Sequence, residues 1–277
     1  MNTPRISASS YSNTAPLIWS FLYGSQHGRV ELILDNAPAR SAELLSQDRV
    51  DAALVPVIAY HQIDDVRLVP GVCVGARERV RSVCLITRGM DLSDVRSVSL
   101  DTSSRTSVVL TKIIFREFLG FEPEWRDAAP DVEAMLDASD CALLIGDPAL
   151  ALNAECGMRS AESNPKSQIQ NPKSFDLAGL WRRHTGLGFV FAMWMSRSET
   201  VPIDFAGARD EGLSHLDEIV SNYVADIGMS RGELTKYLSE NISYVVDDSL
   251  SAGMELYFEL AAKSGLIDRV RPLSYLD

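Results

Sequence analysis

Short apolar segments alternate with amphipathic ones over residues 5–195 of the 277-residue chain, and this alternation limits the possible folds more than any other feature. Such an order of elements is typical of α/β proteins, in which helices cover a largely parallel sheet. The segments predicted as strands are 5–8, 30–34, 52–55, 67–69, 80–87, 97–100, 142–145 and 188–195. The segments predicted as helices are 15–23, 39–47, 107–119 and 132–136.

The last part of the chain has a different pattern. Residues 204–264 predict several helices and only one short strand candidate, at 242–246. Asp247 offers an N-terminal cap for the final helix, and Gly265 predicts its end. Two α/β halves followed by helices predict two lobes joined by strand crossovers. We expect one lobe at 1–84 plus 190–277 and the other at 85–189.

The charge and the apolar pattern exclude several classes of partner. With 26 Lys and Arg against 38 Asp and Glu, the net charge is −12. Nucleic-acid-binding proteins normally carry a basic face, so no nucleic-acid partner is expected. No stretch approaches the roughly 18 apolar residues that a bilayer span needs, and the N-terminus carries no secretory pattern. Four cysteines without CxxC spacing agree with a reducing compartment, so we expect a cytoplasmic location.

One short motif occurs twice. The tetrapeptide Asn-Pro-Lys-Ser stands at 164–167 and again at 171–174. Two prolines without apolar periodicity predict a solvated surface loop, inserted as a tandem duplication.

Two turns rich in hydroxyl groups precede predicted helices, one turn in each predicted lobe. Free backbone N–H groups at a helix start favour an anion, and hydroxyl side chains add donors. Capping alone explains either turn, but two together favour a cleft that binds a small anion. The candidate ligand contacts in these turns are Ser12, Asn13, Thr14, Ser104, Arg105, Thr106 and Ser107.

Three further positions belong to this set. Gly146 and Asp147 follow the predicted strand 142–145, where Asp147 is placed as a helix N-cap with Pro148 at the first helical position. Ser82 lies in an alternating strand, either as a buried hydroxyl or as a ligand contact. The four histidines are scattered, and no pattern predicts a metal site or a nucleophilic triad.

Five motifs in fixed order resemble the chorismate dehydratase family of the futalosine route to menaquinone. They are Tyr11-x-Asn13-x-x-Pro16-Leu17, Asp51-Ala52-Ala53-Leu54-Val55-Pro56, Leu100-Asp101-Thr102-Ser103-Ser104-Arg105-Thr106-Ser107, Ile145-Gly146-Asp147-Pro148-Ala149-Leu150 and Trp181-x-x-x-Thr185-Gly186-x-x-Phe189-Val190-Phe191-Ala192. The resemblance covers nearly the whole chain, with the duplicated tetrapeptide as an insertion.

This resemblance implies a two-lobed fold like that of type II periplasmic binding proteins, with chorismate in the interlobe cleft. It implies loss of water from chorismate to give 3-[(1-carboxyvinyl)oxy]benzoate, with no cofactor. By the same resemblance Asn13 and Ser82 are expected beside the reacting ring. Thr106 and Ser107 are expected at the carboxylate-binding helix start. The remaining expected substrate contacts are Ser12, Thr14, Ser104, Arg105, Gly146 and Asp147.

Three alternatives stay open. The paralogous dihydroxynaphthoate synthase family shares the fold but places a histidine near Gly146 and Asp147, where this chain has none. A transport solute-binding protein is the non-catalytic alternative, which the missing secretory pattern disfavours. An effector-sensing domain is expected least, because no helix-turn-helix segment precedes the fold.

Overall fold

Two mixed β-sheets, each of five strands, organise the described part of the protein. The structure is a computed structural model that describes residues 3–158 and 172–277. Its strands are β1 (Arg5–Ser9), β2 (Glu31–Asp35), β3 (Ala52–Pro56), β4 (Arg67–Ala76), β5 (Val83–Thr87), β6 (Ser97–Asp101), β7 (Glu124–Ala128), β8 (Cys141–Ile145), β9 (Lys173–Asp176) and β10 (Phe189–Ser196). The first sheet has the order β2-β1-β3-β10-β4, and the second has the order β7-β6-β8-β5-β9.

Helices cover both sheets, and several follow a strand directly. They are α1 (Ala15–Leu22), α2 (Pro38–Ser46), α3 (Arg105–Ile113), α4 (Val132–Ala138), α5 (Gly146–Met158), α6 (Leu177–Thr185), α7 (Phe205–Ser214), α8 (Leu216–Ile227), α9 (Arg231–Lys236) and α10 (Asp248–Lys263). π-Helical turns extend α3 over Ile114–Leu119 and α9 over Tyr237–Asn241. None of the helices in residues 3–158 and 172–277 combines the length and apolar character of a bilayer span.

The chain passes from the first sheet to the second and then returns. It leaves the first sheet after β4 and comes back at β10, which pairs antiparallel with both β3 and β4. In each sheet the carboxyl ends of the parallel strands lie at one edge, and several helices begin there. We propose that the two lobes follow the two sheets. The exact boundaries 1–84, 85–189 and 190–277 stay a prediction.

The predicted α/β class with a helical C-terminal part is confirmed, and every predicted strand up to residue 195 overlaps an observed one. The predicted strand 80–87 starts later, at Val83. The reason is a turn in which Arg81 has a left-handed φ of 63°. In that turn the Asp176 carboxylate accepts hydrogen bonds from the N–H groups of Val80 and Arg81.

Three other expectations differ from the structure. Strand β7 was not predicted because it is a charged edge strand without apolar alternation. The segment 242–246 is not a strand, since only Ser243 forms a bridge, with Gly75. The first copy of the duplicated tetrapeptide lies outside the described residues. In the second copy, Lys173 and Ser174 begin β9, so the loop prediction is wrong for these two residues.

Candidate active site

A small cleft of about 60 Å³ lies between the two sheets, at the carboxyl ends of several of their strands. The side chains around it are apolar or neutral and polar. They are Ser9, Tyr11, Asn13, Thr14, Pro38, Leu54, Pro56, Val74, Val83, Ser104, Ser107, Ile145, Gly146, Phe191 and Ala192.

The turn after β1 contributes Asn13 and Thr14 to the cleft. The Thr14 hydroxyl donates to the carbonyl oxygens of Ser9 (2.6 Å) and Tyr11 (2.8 Å), so its proton is used to hold the turn. Pro16 lies in the first turn of α1, where a missing N–H costs nothing. Asn13 also lines the cleft, and its side-chain amide forms a hydrogen bond with the Tyr237 hydroxyl.

Ser12 and Asp147 join the two halves beside the cleft. The Asp147 carboxylate accepts from the Ser12 hydroxyl at 2.5 Å and from the Ser12 N–H at 3.0 Å. The expected N-cap role of Asp147 is wrong, because α5 already begins at Gly146 and the carboxylate binds Ser12 instead. Burial raises the pKa of Asp147, although the hydrogen bonds from Ser12 act to lower it. Neither residue lines the cleft.

Gly146 forms part of the wall because Tyr11 lies directly on it. A Cβ at this position would stand 2.8 Å from carbon atoms of the Tyr11 ring. Gly146 also has φ 66°, a left-handed conformation that favours glycine. The aromatic ring thus closes the cleft over the backbone of the second half.

The start of α3 supplies the opposite wall with Ser104 and Ser107. Ser104 is the N-cap, and its Oγ accepts from the Ser107 N–H at 3.3 Å. The Ser104 hydroxyl also donates to Ser107 Oγ at 2.8 Å. The Ser107 hydroxyl proton consequently stays available to a ligand.

The neighbouring Thr106 and Arg105 do not line the cleft. The Thr106 hydroxyl oxygen accepts from the Ile58 N–H at 3.3 Å. Arg105 faces Glu43 (3.8 Å) and Gln62 (3.4 Å) near the surface. In this conformation both side chains support the walls rather than contact the enclosed space.

Ser82 is fully buried and is not among the side chains around the cleft. Its Oγ accepts a hydrogen bond of 2.7 Å from the Tyr237 hydroxyl. Sequence reasoning missed Tyr237, because a buried tyrosine in a helical segment gives no signal of a site. Tyr11, which stands in the first motif, lines the cleft but is not among the predicted contacts.

Asp101, at the end of β6, is a buried acid that the sequence does not predict as a site residue. Its Oδ1 accepts from the Ser103 N–H (3.0 Å) and hydroxyl (2.6 Å). Burial raises the pKa of Asp101. Burial and, next, the Asp101 charge raise the pKa of Tyr11 to about 12, so the Tyr11 phenol is protonated at neutral pH.

The electrostatic character of the cleft comes from helix ends rather than from side-chain charges. None of the described side chains that line it is charged, while the N-cap of α1, Thr14, and the N-cap of α3, Ser104, lie in its walls. Within the described residues no group of three or more His, Cys, Asp or Glu could hold a metal ion. His184 stacks on Phe118 at 4.5 Å, away from the cleft lining. The hydroxyl and amide groups in the walls can donate hydrogen bonds to an anion.

Comparison with known sequences identifies one family over most of the chain. A family model described as menaquinone biosynthesis matches residues 4–263. Chorismate dehydratase from Thermus thermophilus is 33% identical over 264 residues, which are 90% of this chain and 92% of that protein.

Solved structures agree on the fold. A protein from Archaeoglobus fulgidus has a TM-score of 0.67 at 15% identity, covering 95% of this chain and 98% of that one. The periplasmic aliphatic sulphonate binding protein from Escherichia coli has a TM-score of 0.61 at 14% identity, covering 99% of this chain and 93% of that one. A Candida albicans protein with the generic periplasmic binding protein fold has a TM-score of 0.59 at 11% identity, covering 100% of this chain and 98% of that one. The expected two-lobed periplasmic-binding-protein-like fold is confirmed.

Proposed function

The chain belongs to the menaquinone biosynthesis family, and from this membership we propose that it is a chorismate dehydratase. The enzyme is a carbon–oxygen lyase that removes water from chorismate and gives 3-[(1-carboxyvinyl)oxy]benzoate. The product ring is aromatic, so the elimination is strongly downhill. We further propose that the reaction takes place in the cytoplasm, where the buried free thiols Cys73, Cys84 and Cys141 stay reduced.

One observation carries the proposal: two helix starts face a single uncharged cleft. Asn13 and Thr14 precede α1, and Ser104 and Ser107 stand at the start of α3. Helix N-terminal N–H groups and hydroxyls bind carboxylates without Lys or Arg. Chorismate carries two carboxylates, so an acidic protein can hold this dianion at two helix N-termini, each with a partial positive charge.

The elimination breaks one C–H and one C–O bond of the ring. The C–H bond lies in conjugation with the ring carboxylate, so its electrons delocalise onto that group as the proton leaves. We propose that the start of α3 with Ser107, which lines the cleft, stabilises this charge in the manner of an oxyanion hole. The electrons then return to the ring, where they restore the displaced C=C bond and form a new C=C bond as the neighbouring carbon loses hydroxide. The released proton and hydroxyl account for the water.

The base in this mechanism is the substrate itself. None of the described side chains lining the cleft is a carboxylate, histidine or lysine, whereas the enolpyruvyl carboxylate of chorismate stands next to the reacting C–H bond. We propose that this carboxylate takes the proton and that an Asn13 N–H donates to the departing hydroxyl. Ser82, behind the wall, acts on the site through its partner Tyr237.

The test is incubation of the purified protein with chorismate, followed by chromatography of the products. We expect 3-[(1-carboxyvinyl)oxy]benzoate to accumulate in proportion to enzyme concentration. Ser107→Ala serves as the matched loss-of-function variant, since it removes one hydroxyl from the cleft. Tight chorismate binding without product would instead identify a binding protein and overturn the proposed function.

A further inference from the structure

Tyr237 occupies an unusual position in the helical C-terminal part. It is fully buried and begins the π-helical turn Tyr237–Asn241 that extends α9. π-Helical turns are rare and occur often at functional sites, because they shift a side chain out of the normal helical register. Here the turn places the Tyr237 hydroxyl 2.7 Å from Ser82 Oγ, although the two residues are 155 positions apart.

Asn13 lies beside the same hydroxyl. Burial is the largest influence on the pKa of Tyr237 and raises it, whereas the hydrogen bonds that Tyr237 forms with the Ser82 and Asn13 side chains act to lower it. Tyr237 therefore contacts both residues that the resemblance places near the reacting ring. One phenol links a residue that lines the cleft, Asn13, with one that does not, Ser82.

The hydrogen bonds that join these groups all run in the same direction from donor to acceptor. The Ser82 hydroxyl donates to the Val80 carbonyl oxygen at 3.4 Å, and Ser82 Oγ accepts the single proton of Tyr237. Having donated that proton, the Tyr237 oxygen offers only lone pairs to Asn13. The Asn13 amide must then turn its nitrogen towards Tyr237. Since an amide nitrogen carries two hydrogens, one remains for the cleft.

We propose that Tyr237 is a positioning residue: its hydroxyl, held by Ser82, fixes the Asn13 amide with an N–H directed at the departing hydroxyl of the substrate. This inference rests on the proposed function for its catalytic consequence. A wrongly turned amide would present an oxygen to the leaving group, which needs a donor. Tyr237 thereby acts on turnover without touching the substrate.

The first test compares Tyr237→Phe with Tyr244→Phe. Tyr244 is also buried, but within the described residues its hydroxyl has no hydrogen-bond partner. For Tyr237→Phe we expect kcat to fall by about 10- to 100-fold, while KM changes by less than about twofold. Tyr244→Phe should keep both values. Unchanged kcat in Tyr237→Phe, in an active wild-type background, overturns the proposal.

A double variant separates positioning from independent action. If Tyr237 acts through Asn13, Asn13→Ala combined with Tyr237→Phe should be no slower than Asn13→Ala alone. Losses that multiply would show that Tyr237 has a separate role and would overturn the proposal.

A readout without turnover distinguishes this inference from the proposed function. The side-chain amide signals of Asn13 in ¹⁵N-labelled protein are assigned by their loss in Asn13→Ala. We expect them to shift in Tyr237→Phe and in Ser82→Ala but not in Tyr244→Phe. Signals that stay in place in Tyr237→Phe overturn the proposal, even for a protein that does not convert chorismate. A wild type without product, by contrast, overturns the proposed function.

Discussion

The Asp147 carboxylate accepts two hydrogen bonds from Ser12, a residue 135 positions earlier, at 2.5 Å from the hydroxyl and 3.0 Å from the backbone N–H. The contact joins the N-terminus of α5, which follows the second sheet, to the turn after β1 of the first sheet. On another side of the cleft the Ala39 N–H donates to the Ser103 carbonyl oxygen at 3.1 Å. These hydrogen bonds hold the two halves together in a closed conformation.

The first prediction concerns the pH dependence of stability. Burial raises the pKa of Asp147 above its ordinary value of 3.8, so the folded protein binds this proton more tightly than the unfolded chain. The stabilisation is complete below pH 3.8 and is lost as the pH rises through the raised value. Asp147→Asn removes this titration, so Tm should fall less steeply with rising pH over that acidic range.

Thermal unfolding at a series of pH values measures this slope. Asp64→Asn is the matched control, because the Asp64 side chain is 99% exposed. An Asp147→Asn slope equal to those of the wild type and the control would contradict the prediction.

The second prediction concerns the Tyr11 ring on Gly146. Gly146→Ala should lower the free energy of unfolding by about 2–4 kcal/mol, because it adds a steric overlap to the cost of a left-handed residue. It should also raise KM for chorismate, since the displaced ring lines the cleft.

Gly120→Ala is its control, with φ 79° and no atom within 4 Å of the added Cβ. This variant should lose only about 1–2 kcal/mol and keep its KM. Denaturant titration and steady-state kinetics of both variants decide the matter. Equal effects of the two substitutions would show that the Tyr11 contact is unimportant.

The third prediction separates capping from binding at α3. Ser104→Ala should cost about 1 kcal/mol of stability through the lost N-cap. It should also weaken chorismate binding, because Ser104 lines the cleft and orients Ser107. Asp131→Ala removes an equivalent cap from α4, where Asp131 accepts from the N–H groups of Glu133 and Ala134 at 3.1 Å.

Asp131→Ala should therefore be destabilised similarly and bind chorismate normally. Calorimetric titration at a temperature where both variants are folded measures the difference. The proposed role of Ser104 in binding is wrong if the two variants lose the same affinity for chorismate.

The sequence predicted the strands well where burial leaves little choice of residue. β3, β5 and β8 are buried along their whole length and consist mostly of apolar residues. The edge strand β7 carries charges instead, because one side of it faces solvent, and its pattern predicts no strand. Helix starts were also predictable, because caps and first-turn prolines are local signals.

The candidate site was predictable only in its local parts. Asn13, Thr14, Ser104, Ser107 and Gly146 line the cleft, and each lies in a turn whose sequence is distinctive. The partners of Ser82 and Asp147 were not predictable. Tyr237 and Ser12 reach them across more than a hundred residues, and only the packed fold brings these groups together.

The last prediction tests the central claim, that Asn13 assists departure of the hydroxyl from chorismate without an acid–base side chain of the protein. The decisive measurement is kcat for 3-[(1-carboxyvinyl)oxy]benzoate formation by Asn13→Ala, with Asp147→Asn measured alongside it. We expect kcat of Asn13→Ala to fall by about 100- to 1000-fold, the range for loss of one preorganised donor, while Asp147→Asn keeps most of its turnover. Undiminished turnover in Asn13→Ala, together with an inactive Asp147→Asn, would contradict the account.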